Sequence, residues 1–115
     1  MSETQLFDEA KLAEIVELMG EELPTLVDAF ESSGKDQMAR MHSAGKSQDA
    51  DGLAQAAHQL KGSAGNLGAA ALQASCEAVE RAARGGDLTG AEDTVNRITE
   101  LYGGTLAELR RVVSG

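Results

Sequence analysis

The chain has 115 residues, enough for one hydrophobic core with little left for a second. Its net charge of −9 excludes a surface built to grip nucleic-acid phosphates, and no apolar run approaches the roughly 18 residues that span a bilayer. Pro24 is the sole proline and aromatics make up only 3% of the residues, so helix formers dominate and the core must come from aliphatics and Met: an all-α chain. One cysteine, Cys76, excludes an internal disulfide, and Met1 to Gln5 lack the basic and apolar regions of a signal peptide. The expected location is the cytoplasm, and the expected organisation is a single domain over residues 1–115.

Behind Asp8, a good N-cap, Leu12, Ile15, Val16 and Met19 recur at helical spacing, and Gly20 marks the end of a short first helix. Leu23, Leu26, Val27, Phe30, Met38 and Met41 continue the period around Pro24, which a first turn tolerates. That second helix ends in Gly45-Lys46-Ser47. Asp49 caps a third, whose apolar stripe Leu53, Ala57, Leu60, Ala64, Leu67 is closed by Gly68. Leu72, Cys76, Val79 and Ala83 repeat the stripe on a fourth helix, which Gly85-Gly86-Asp87 turns. The last helix carries Ala91, Val95, Ile98, Leu101, Tyr102, Leu106, Leu109 and Val112, and is expected to continue through Gly103-Gly104. Four long amphipathic segments joined by short turns predict an antiparallel up-down-up-down four-helix bundle, with the additional short N-terminal helix covering one end.

On the third helix, His58, Lys61, Gly62 and Gly65 fall at i, i+3, i+4 and i+7, one stripe. With the leucine stripe turned inward, His58 and Lys61 face solvent. Two glycines inside a helix cost about 1 kcal/mol each relative to Ala. Because they share the stripe of His58, the expected reason is access: Gly62 and Gly65 clear space for another protein's active site. Neutral imidazole is a nucleophile near physiological pH, its reference pKa being about 6.5, and a cation one turn away favours that neutral form. The same Lys61 ammonium would face a phosphoryl group once His58 carried one.

The run Ala57-His58-Gln59-Leu60-Lys61-Gly62-Ser63-Ala64, followed by Asn66-Leu67-Gly68-Ala69, resembles the phosphorylation motif of bacterial histidine-containing phosphotransfer (HPt) domains. The resemblance extends from about Asp49 to the Cys76, Glu77, Glu80, Ala83, Arg84 pattern of the next helix. It implies a phosphorelay intermediate: His58 takes a phosphoryl group from the phospho-aspartate of one receiver domain and passes it to the aspartate of another. It further implies no cofactor of the chain's own, with Mg²⁺ and most catalytic groups supplied by the receiver, so the chain is a carrier and not an enzyme. The implied partners are receiver domains of response regulators or hybrid histidine kinases, met by a monomer. Some members place a Gln on the fourth helix near the phosphohistidine. The matching Glu80 is expected to repel phosphate, with Arg81 and Arg84 able to offset its charge, so no site role is expected on that helix.

The other candidates are bland. His42 reads as a boundary residue and Cys76 as a small core hydrophobe. A di-metal bundle site needs Glu-x-x-His pairs, but Ala39 and Gln55 stand three residues before His42 and His58, so no metal site is expected. No Gly-rich nucleotide loop is present. The alternative to a carrier is an interaction module that binds a receiver or kinase through the same surface and sequesters it without taking phosphate.

Overall fold

The computed structural model describes residues 5–115; Met1 to Thr4, which the single-domain and leaderless-N-terminus readings include, lie outside the described residues. Five α-helices and one short 3₁₀ turn account for the regular structure: α1 (Glu9–Met19), the turn Gly20–Glu22, α2 (Leu23–Ser47), α3 (Ala50–Asn66), α4 (Ala70–Arg84) and α5 (Ala91–Ser114).

The ends of the helices follow from local chemistry. Asp8 and Asp49 cap α1 and α3 with carboxylates that accept from Lys11 N at 3.2 Å and Gly52 N at 3.0 Å, satisfying amides that have no helical partner. Pro24 sits in the first turn of α2, where no amide hydrogen is required. The second helix runs through Gly45 and stops at Ser47, because Gln48 adopts a left-handed conformation with φ of 59°. Gly68, with φ of 72°, turns the chain between α3 and α4. At Gly103-Gly104 the helix is unbroken, and α5 continues to Ser114 as expected.

In the ring of four long helices, α2 packs on α3, α3 on α4, α4 on α5, and α5 closes against α2. The cross-links show the alternating direction. Along α5, Thr99, Tyr102 and Arg110 meet His42, Glu31 and Asp28 of α2, so one helix descends as the other rises. Inside lie the stripes read from the sequence, with Leu53, Leu60, Leu72, Cys76, Ile98 and Leu109 almost fully buried. Small residues at Ala54, Ala57 and Ala64 let the α3 backbone approach its neighbours closely. Gly34 does the same for α2 and α5: a Cβ there would collide with the ring of Tyr102, whose hydroxyl donates to Glu31 O at 2.7 Å. The N-terminal segment pins one end of the bundle, with Phe7 buried and Asp8 N donating to Gly68 O at 2.8 Å.

Candidate functional site

His58 lies in the middle of α3, on the face opposite the leucines, and 59% of its side chain is exposed. It lines neither the groove between α2 and α3 nor the one beside α1. A nucleophile standing out from the surface has no cavity of its own to exclude water, so any transfer chemistry there is completed by whatever docks over it.

One edge of the imidazole is held. Antiparallel packing of α3 and α4 brings Glu80 opposite His58, with Glu80 Oε2 3.0 Å from Nδ1. The carboxylate is nearly buried, yet it stays ionised: the Lys61 ammonium foremost, and Arg84 after it, hold its pKa at about 2 against the burial that pushes the other way. An ionised carboxylate only accepts hydrogen bonds, so in the neutral ring Nδ1 carries the proton and donates it. Nε2 is left with its lone pair.

The same carboxylate gathers two cations. Lys61 Nζ stands 2.7 Å from Oε1 in an ion pair, while Arg84 reaches Oε2 through Nε at 3.0 Å and Nη2 at 2.9 Å. Lys61 is therefore not the solvent-facing lysine expected from its stripe; only 25% of its side chain is exposed, and Glu80 draws it across to α4. Arg81 instead pairs with Glu77 at 2.6 Å.

The two glycines of the stripe part company. A Cβ built on Gly62 would meet nothing within 4 Å, so the space one turn from His58 is open. At Gly65 a Cβ would meet Gln73 Nε2 at 2.9 Å. Part of the room expected there for a partner is filled by the flexible end of an exposed side chain of α4.

Sequence reasoning missed Glu80. The spacing presents it as a repulsive neighbour, offset by Arg81 and Arg84, with no part in the site; in the structure Lys61 joins Arg84 on the carboxylate, which holds the imidazole. The available signal was an acid beside the buried stripe of α4, one turn beyond Cys76 and one turn before an arginine; such an acid must be paired. Arg84 is named by the i+4 spacing within α4, but Lys61 and His58 belong to another helix, and that spacing does not name them. His42 is exposed and bonded to Thr99 Oγ1 at 3.1 Å, with no charged partner. Burial pushes the Cys76 thiol up to about 12, as for an inert core residue. Among the described residues no group of three or more His, Cys, Asp or Glu side chains is placed to hold a metal ion, and no helix is long and apolar enough to cross a membrane.

The comparisons with known proteins bear on this arrangement. No curated protein matches the chain. Among solved structures it is similar to the histidine-containing phosphotransfer protein B (HptB) of Pseudomonas aeruginosa PAO1, with 28% identity, 95% of each chain covered and a TM-score of 0.88. The family model described as the Hpt domain matches residues 25–111, which takes in α3 and α4 whole, all but the outer ends of α2 and α5, and every side chain of the cluster around His58. The chain belongs to the Hpt domain family, the phosphocarriers of two-component phosphorelays.

Proposed function

We propose that His58 is the phosphoryl acceptor of a phosphorelay, taking the group from the phospho-aspartate of one receiver domain and delivering it to the aspartate of another. The observation that carries this reading is the fixed ring. Nδ1 is bound to Glu80 at 3.0 Å, so the lone pair of Nε2 is presented outward from an exposed side chain.

In the transfer, the Nε2 lone pair forms the N–P bond as the P–O bond to the donor aspartate breaks, and that electron pair stays on the departing carboxylate. No proton need move. The ring becomes positively charged with its proton still on Nδ1, and the Glu80 carboxylate stabilises that charge, much as the buried carboxylate of a Ser-His-Asp triad does for its imidazolium. Lys61, one turn along α3, supplies positive charge for the phosphoryl oxygens, and the open space at Gly62 admits the partner's loops. Delivery to the second receiver is the reverse sequence. Mg²⁺ is assigned to the receiver, as are most of the catalytic groups. The carrier acts as a monomer, in the cytoplasm with its receivers.

Incubation with a phosphorylated receiver domain tests the proposal. The chain should acquire acid-labile phosphate on His58, and His58→Gln should acquire none while keeping its helical circular dichroism. Label on the His58→Gln chain would overturn the assignment. Gly62→Gln should fold normally and take phosphate slowly, because only access is lost.

A further inference from the structure

Glu80 has more partners than one carboxylate needs: the Lys61 ammonium on Oε1, the Arg84 guanidinium on Oε2, and the His58 Nδ1–H also on Oε2. The two cations are not equivalent. Arg84 is four residues along the same helix and brings two nitrogens, Nε and Nη2, to the one oxygen Oε2. Lys61 crosses from α3 with a single ammonium on a flexible stem, three residues from His58. Before phosphorylation, Glu80 is the anion within its reach.

A phosphoryl group on Nε2 would bring about two negative charges within one turn of Lys61. Whether the ammonium can turn to it depends on what it leaves behind, since stripping a nearly buried carboxylate of its cation is strongly unfavourable. We propose that Arg84 is the positioning residue that releases Lys61: it keeps Glu80 paired, and so keeps the imidazole held through Nδ1, while Lys61 moves from the carboxylate to the phosphoryl group. The inference rests on the reading of His58 as the acceptor. Neighbouring Arg81 does not share the role, because its guanidinium is committed to Glu77.

The test begins with phosphoramidate as a small phosphoryl donor, the labelled residue being located by mass spectrometry and the Lys61 ammonium followed by NMR. Label on a residue other than His58 would overturn the acceptor reading itself, before any Arg84 variant is used. With His58 loaded in the wild type, the Lys61 ammonium resonance should shift; an unmoved resonance would overturn the inference while leaving the acceptor reading intact. Arg84→Ala should hold Lys61 on Glu80 and slow transfer from a phosphorylated receiver roughly tenfold. Arg84→Lys should recover most of the rate, and Arg81→Ala, with the same loss of charge, should match the wild type. In a Glu80→Gln background no buried charge remains to be held, so adding Arg84→Ala should cost about twofold or less. A full tenfold loss in that background would instead make Arg84 a contact for the docking partner, and would overturn the inference.

Discussion

At the scale of single residues, the distinctive group is Glu80, an acid kept charged in a nearly buried position by its neighbours. Its pKa is lowered from 4.5 to about 2, principally by the Lys61 ammonium, so the folded state binds the proton less readily than the unfolded chain. The stabilisation this provides is complete above the unfolded value and is lost as pH falls from about 4.5 towards 2. Urea denaturation at pH steps across that window should show the wild type losing stability more steeply than Glu80→Gln. The same variant should weaken the preference for the Nδ1–H form of His58, read from ring nitrogen shifts, and slow transfer roughly 10- to 100-fold, the size of loss seen when the carboxylate that orients a metal-binding histidine is removed. A Glu80→Gln chain with an unaltered ring tautomer and unaltered transfer would remove Glu80 from the site.

Between helices, glycines report what each surface is for. A side chain at Gly34 would run into Tyr102, so Gly34→Ala should destabilise the α2–α5 contact by about 1–3 kcal/mol, the usual range for overpacking. Gly62 has nothing near it, so Gly62→Ala should raise stability by up to about 1 kcal/mol through helix propensity alone. Opposite shifts of the urea midpoint in the two variants would check both expectations. The contrast also measures how far the elements were legible. The apolar period located all five helices, including the uninterrupted α5, and capping residues added the starts of α1 and α3, because both signals are local to each helix. What stands beside Gly65 is not legible for the complementary reason. The stripe that Gly65 shares with His58 is visible within α3, but Gln73, whose end reaches the space beside it, lies on α4 and enters only when the two helices dock.

For the whole molecule, the core and the charge distribution work on different scales. The inward stripes of all four long helices meet in one cluster, joined by Leu12 and Ile15 of α1, so a cavity there should weaken the fold as a unit. Leu72→Ala, at a fully buried position, should cost about 2–5 kcal/mol, seen as a lower urea midpoint at an unchanged denaturant dependence. The chain as a whole is acidic, with a net charge of −9, yet its histidine face gathers Lys61 and Arg84 around a single carboxylate. This local excess of positive charge is what a phosphoryl group would meet. It is invisible in the composition, which averages over surfaces that never touch one another.

The sequence by itself determined the class of fold, the inward stripes, the caps, and the presentation of His58 on the polar face of its helix. Each follows from periodicity or from neighbours within about one turn, and such relations are written directly in residue spacing. Only the tertiary structure decided that Glu80 holds the imidazole by Nδ1, that Lys61 is drawn out of solvent onto that carboxylate, and that the end of Gln73 reaches the space beside Gly65. Those contacts depend on the register of one helix against another, set by side-chain packing along the whole interface, and a spacing rule within either helix does not contain it.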